Sequence, residues 1–308
     1  MVDLHVQLAP SHPSGLLLAN PVMTAAGTFG YGIEYSQLVD IQRLGAIVCK
    51  GTTLKPRRGN PQPRLVETAS GLLNSVGLQN VGVEAVKKDK APVWAQWRVP
   101  VIVNIAGETI EEYAKVAARL EGVAGISGIE VNISCPNLAS GGMEFGTDSK
   151  IAAEVTAAVK AVSSLPVIVK LSPNVTDIGE IASAVSGAGA DAITMINTVM
   201  GMAIDVNGGK PSLGNVVGGL SGPAIKPIAL YMVYKVAEIV DVPVIGCGGI
   251  SCAGDALEFI MAGASAVQIG TANLADPQAA LDVLNGIEQF VTREGIQNLK
   301  DIIGIARV

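Results

Sequence analysis

Eight short runs rich in β-branched residues recur along the chain, at 21–26, 45–50, 100–105, 128–134, 166–172, 190–197, 243–247 and 265–270. Apolar runs without polar alternation suit strands buried on both faces, as in a parallel sheet, whose neighbours must be joined by long crossovers. The spacers supply those crossovers. Segments 109–120, 148–163, 176–188, 224–240, 253–262 and 277–293 carry apolar residues at helical spacing, often behind a Thr, Ser or Asp start signal. The period predicts an α/β fold, a (β/α)8 TIM barrel. The runs at 100, 166 and 243 each open with Pro-Val, a repeated strand entry that favours a closed barrel over a doubly wound sheet. Barrels of this type often exceed 200 residues as one unit, and no linker or low-complexity stretch interrupts the 308 residues, so a single barrel domain over 1–308 is expected. Apolar stretches at 4–8 and 15–19, around a Pro-Ser-His-Pro-Ser turn, predict an N-terminal hairpin capping the barrel floor.

Composition removes several function classes. With 21 basic against 27 acidic residues the net charge is −6, which offers no electrostatic footprint for nucleic acid or an anionic membrane. No apolar run reaches the ~20 residues of a spanning helix. The first basic residue is Arg43, so the start lacks the charge of a signal peptide and a cytoplasmic location is expected. Four cysteines (Cys49, Cys135, Cys247, Cys252) are scattered with no CxxC, and the only histidines are His5 and His12. Metal ligation, a disulfide framework and a histidine base are all disfavoured.

Chemistry in such a barrel gathers at the carboxyl ends of the strands. Here those ends are polar: Lys50, Asn104, Asn132 with Cys135, Lys170, and Asn197 with Thr198. The last two strands end in Cys247-Gly248-Gly249-Ile250-Ser251 and Gly270-Thr271. One Gly-Gly turn is ordinary strand-to-helix geometry, but two adjacent glycine turns after the final strands let backbone N–H groups approach a phosphate. Lysine is seldom buried without a partner, so Lys50 and Lys170 at strand ends point to negative charge on a ligand. Asparagines offer a donor and an acceptor each, a match for a small flat ring with imide or amide edges, and a carboxylate on that ring would suit Lys50. Asn74 is a further candidate, whereas Asn80 reads as a turn former. Cys135, in Asn-Ile-Ser-Cys-Pro-Asn, is the group there able to act as a base near neutrality. The other cysteines read as packing residues. Residues 141–146 carry glycines suited to a lid, and two connections, 52–79 and 199–222, are long enough to be functional.

Taken in order, Lys50-Gly-Thr-Thr, Arg57 to Arg64 (RRGNPQPR), Leu73-Asn-Ser-Val-Gly-Leu-Gln-Asn, Asn132-Ile-Ser-Cys-Pro-Asn and the Gly248-Gly249 and Gly270-Thr271 turns resemble class 1 dihydroorotate dehydrogenases. The resemblance runs from about residue 20 to 275, and the Gly-Leu-Gln-Asn form, with Gln79, is more similar to class 1B. It implies an FMN-containing barrel that oxidises (S)-dihydroorotate to orotate in pyrimidine (UMP) biosynthesis. On that likeness Cys135 removes the carbon-5 proton while hydride passes from carbon-6 to flavin nitrogen-5. Substrate contacts fall to Lys50, Asn74, Ser75, Val76, Gly77, Leu78, Asn132, Asn197 and Thr198. Flavin contacts fall to Ala26, Gly27, Lys50, Gly51, Asn104, Asn132, Lys170, Ile196, Gly222, Gly248, Gly249, Gly270 and Thr271. Lys170 would balance charge on the flavin. The class further implies a partner subunit carrying FAD and a [2Fe-2S] cluster that delivers electrons to NAD, with a homodimer of this chain at the core of a heterotetramer. Four scattered cysteines could not ligate that cluster on this chain. A class 1A fumarate-linked dihydroorotate dehydrogenase and a flavin barrel of the dihydropyrimidine dehydrogenase kind are the nearest alternatives. A phosphate-handling barrel without flavin and a non-catalytic flavoprotein scaffold lie further off.

Overall fold

The computed structural model describes residues 2–134 and 145–308. Eight parallel strands close into a barrel in strict sequence order: β1 (Val22–Thr24), β2 (Ala46–Val48), β3 (Val101–Ile105), β4 (Gly128–Asn132), β5 (Val167–Lys170), β6 (Ala192–Met195), β7 (Val244–Cys247) and β8 (Ala264–Ile269). Each falls inside one of the eight predicted runs or within a residue of it. Nearly every strand residue is buried, because the helical ring covers the outside while facing strands fill the inside.

All six predicted helices form: α1 (Ile110–Leu120), α2 (Ser149–Lys160), α3 (Ile178–Gly187), α4 (Lys226–Val236), α5 (Ala253–Ala262) and α6 (Ala279–Arg293). The start signals act as caps. Thr109 accepts from Glu112 N at 3.2 Å, Asp148 from Ile151 N at 3.0 Å and Asp177 from Gly179 N at 2.8 Å, each satisfying an amide the helix leaves unpaired. Between β2 and β3 a further helical stretch, Val83–Trp94, which the spacing did not single out, widens into a π segment over Val86–Lys90. The N-terminal hairpin forms as a short antiparallel pair, Val6–Gln7 with Leu17–Leu18.

The two long connections are not independent loops. Residues Leu65–Thr68 and Gly71–Asn74, after β2, pair with Gly218–Ser221 and Val199–Gly201, after β6, as one four-stranded antiparallel sheet. Strands β2 and β6 stand opposite each other in an eight-membered ring, so this sheet roofs the carboxyl-end mouth from two sides.

Candidate active site

Six consecutive strands place a polar side chain in one buried layer inside the barrel: Asn104 on β3, Glu130 on β4, Lys170 on β5, Thr194 on β6, Cys247 on β7 and Gln268 on β8. Glu130, with no exposed surface, is the hub. Its carboxylate accepts from Asn104 Nδ2 at 2.8 Å, Thr194 Oγ1 at 2.9 Å and Gln268 Nε2 at 2.6 Å. Gln268 passes the connection on, its Oε1 accepting from Lys170 Nζ at 3.1 Å, and Lys170 also reaches Cys247 Sγ at 3.7 Å. Burial alone would push the Lys170 ammonium down, but charge on Cys247 and Glu130 outweighs it and the pKa is raised. Burial also raises the Cys247 thiol. The Lys170 ammonium beside it acts in the opposite direction.

Above this layer the predicted substrate residues come together. Asn197 Nδ2 donates to Asn132 Oδ1 at 3.1 Å, and Asn197 Oδ1 accepts from Thr198 N at 2.8 Å. Thr198 is held from behind by Asn174, whose Nδ2 donates to the Thr198 carbonyl at 3.3 Å. Asn74 belongs to the roof sheet and donates to Gly219 O at 3.2 Å. Gly219 can only be glycine without rearrangement, since a Cβ there would meet Thr198 Oγ1 at 1.9 Å.

The 75–78 segment is braced by the Arg-rich stretch. Asn60 donates to Ser75 Oγ at 2.9 Å and its N–H to Val76 O at 3.1 Å, while Arg64 reaches Asn60 O, Arg58 O and Gln79 Oε1 at 2.6, 2.8 and 2.9 Å. Gly77 (φ 73°) and Leu78 (φ 52°) make the sharp turn. Lys50 is half-buried at the end of β2, and among the described residues its ammonium has no hydrogen-bond or ion-pair partner. Asn80 closes a turn as expected, accepting from Gly82 N at 2.8 Å.

The glycine turns form the remaining wall. Gly248 and Gly249 have φ of 135° and 74°. The turn is pinned by Asp255 at the start of α5, which accepts from Ser251 N, Ser251 Oγ and Cys252 N at 2.9, 2.8 and 3.2 Å and pairs with Lys226 at 2.8 Å. Burial would raise the Asp255 carboxyl, but the hydrogen bonds from Lys226, Ser251 and Cys252 prevail and hold it down at about 2. Thr271 Oγ1 donates to Ser221 Oγ at 2.8 Å, beside Gly222. Gly51 lies between Asn104 and Leu78, Gly248 lies near Ile196, and Gly270 lies beside Ala25. At Gly27 (φ 88°), after Ala26, a Cβ would meet no protein atom within 4 Å, so the backbone there faces open space.

Cys135 to residue 140, and residues 141–144 of the glycine-rich run, lie outside the described residues. Of that run Phe145 and Gly146 are described and buried, with Gly146 N donating to Ile133 O at 2.8 Å. Cys49 is a core residue whose thiol burial pushes up to about 12. Cys252, by contrast, is exposed at the N-cap of α5. Sequence reasoning passed over Glu130, Gln268, Thr194, Asn174 and Asp255. A carboxyl and an amide in the middle of apolar runs (Gly-Ile-Glu-Val-Asn, Ala-Val-Gln-Ile) were the available signal.

A parallel barrel with polar strand ends, one lysine at the mouth and another buried in the layer beneath, and glycine turns after its last two strands is an enzyme architecture suited to an anionic ligand. Comparison with known proteins is specific. The family model for dihydroorotate dehydrogenase matches residues 10–291, and this chain belongs to that family. It is 58% identical over 94% of its length to a protein of Desulforamulus reducens, 96% of which is covered, called dihydroorotate dehydrogenase B (NAD(+)), catalytic subunit. Proteins of the same name from Geotalea daltonii and Pelobacter propionicus are 52% and 54% identical, with 99% and 98% of both chains covered. Among the described residues no helix is long and apolar enough to cross a membrane.

Proposed function

We propose that this chain is the catalytic subunit of a class 1B dihydroorotate dehydrogenase, oxidising (S)-dihydroorotate to orotate. The observation that carries the reading is the hydrogen-bonded series Asn132–Asn197–Thr198, set at the barrel mouth over the buried Lys170. Amide and hydroxyl groups fixed in this way suit the imide edge of a pyrimidine. Lys50, without a protein partner among the described residues, is suited to the ring carboxylate.

The residues fit FMN. Gly27 leaves open space against its backbone, the turns at Gly248–Gly249 and Gly270–Thr271 suit a phosphate, and Lys170 offers a buried cation to the pyrimidine end of the flavin. Ala26, Gly51, Asn104, Asn132, Ile196 and Gly222 complete the proposed cradle. When bound, FMN supplies two-electron acceptance from the substrate ring. Cys135 takes the proton at carbon-5, a position too weakly acidic for water to deprotonate quickly. Lys170 balances negative charge gained by the cofactor. A partner subunit holding FAD and a [2Fe-2S] cluster, in a heterotetramer built on a dimer of this chain, would supply the electron route to NAD. The relatives' designation as NAD(+)-linked catalytic subunits supports this order over the fumarate-linked one.

Stopped-flow mixing of the purified flavoprotein with dihydroorotate tests the reading. Wild type should bleach rapidly and Cys135→Ala roughly 10²–10⁴-fold more slowly, the usual weight of a general base. Bleaching by dihydrouracil but not dihydroorotate would favour the dihydropyrimidine dehydrogenase alternative, and bleaching indifferent to the substitution would exclude Cys135 as base.

A further inference from the structure

Glu130 has no place in the reaction as so far described, yet it ties together side chains from three other barrel strands. It is wholly buried, and its two carboxylate oxygens accept from Asn104, Thr194 and Gln268 on three different strands. A carboxylate only accepts, so it dictates which way round the Gln268 amide sits: Nε2 toward Glu130, and therefore Oε1 toward Lys170 Nζ. We propose that Glu130 is a positioning residue that, through Gln268, fixes the Lys170 ammonium and supplies its counter-charge beneath the cofactor, while its other oxygen orients Asn104. This rests on the proposed function, in which a flavin lies over the layer.

The groups facing Lys170 are few. Cys247 on β7 is a buried thiol in contact with it, Gln268 on β8 is uncharged, and Glu130 on β4 acts on it from behind Gln268, both acidic groups raising its pKa. Glu130 also acts on the Cys49 thiol at the end of β2, where Glu34 contributes in the same direction. Replacing Glu130 with glutamine removes one of the two acidic groups, Cys247 and Glu130, that hold the ammonium's pKa up. It also frees the Gln268 amide to turn its NH2 toward Lys170. Burial then weighs more against what Cys247 still contributes, and Lys170 loses its proton at a lower pH. A flavin gaining electrons gains negative charge, so loss of the ammonium lowers its midpoint potential.

The test is the midpoint potential of the flavin-loaded chain, titrated spectroscopically between about pH 6 and pH 9, a range in which an unperturbed lysine stays charged. Wild type and Glu130→Asp should show no break from a lysine. Glu130→Gln should bend toward lower potential as pH rises, and Gln268→Met, which cuts the relay but keeps both charges, should bend less. The bend should vanish in Glu130→Gln combined with Lys170→Met. Folded Glu130→Gln and Gln268→Met proteins without a bend, or a bend that survives removal of Lys170, would overturn the proposal. Should Glu130→Gln fail to fold, Gln268→Met decides alone. Wild type that is reduced normally beside unbent variants sinks this inference only, whereas wild type that takes up no flavin sinks the proposed function with it.

Discussion

The barrel interior has two storeys built by the same strands. On β3 to β8 the upper residues are Asn104, Glu130, Lys170, Thr194, Cys247 and Gln268. Two positions earlier, on the same face, stand Ile102, Gly128, Ile168, Ala192, Ile245 and Ala266. The lower storey is hydrocarbon and backbone, completely buried, and its contribution is transfer from water and close packing. The upper storey is also buried but holds two charged groups and two amides that must find partners in one another. Moving up a strand by one pleat therefore exchanges stability for chemistry.

Substitutions can separate the storeys. Ile168→Ala should lose about 2–5 kcal/mol of folding stability through an unfilled cavity, read by denaturant unfolding, while the protein that remains folded still takes up flavin. A variant that kept its stability but lost flavin would erase the distinction. Lys170→Ala, in the protein that folds, should act on the cofactor instead, either losing flavin or slowing its reduction by roughly 10²–10³-fold, the weight of one preorganised electrostatic contact. Unchanged flavin content and reduction rate would remove Lys170 from the site.

Asp255 lies outside both storeys and provides a control on electrostatics. Its pKa, held at about 2 against an ordinary 3.8, means that it stabilises the fold fully above pH 3.8 and that this stability is lost as pH falls toward 2. Asp255→Asn should thus cost on the order of 1–2 kcal/mol at neutral pH and flatten acid unfolding between those values. The smallest expected effect is at the roof: Gly219→Ala must displace Thr198, which should raise KM for dihydroorotate several-fold, by about 1 kcal/mol of uniform binding, with little change in kcat.

The fold was legible because its signal is local. A buried parallel strand needs a β-branched run and a crossover helix needs a start signal, and residues such as Thr109, Asp148 and Asp177 provide both information and cap. The strand-end asparagines and lysines were legible for the same reason, their position being fixed by the run they terminate. What escaped was non-local. Glu130 is intelligible only once β6 and β8 bring Thr194 and Gln268 to it across the barrel. The pairing of residues 71–74 with 218–221 depends on contacts more than 140 positions apart, between segments whose glycines and half-buried side chains carry little strand signal of their own.

That shared roof also limits how the mouth can change. Because segments from opposite walls exchange main-chain hydrogen bonds, neither can be lengthened, shortened or borrowed from a relative without its counterpart. An engineer seeking a new ring specificity should transplant them as a matched pair.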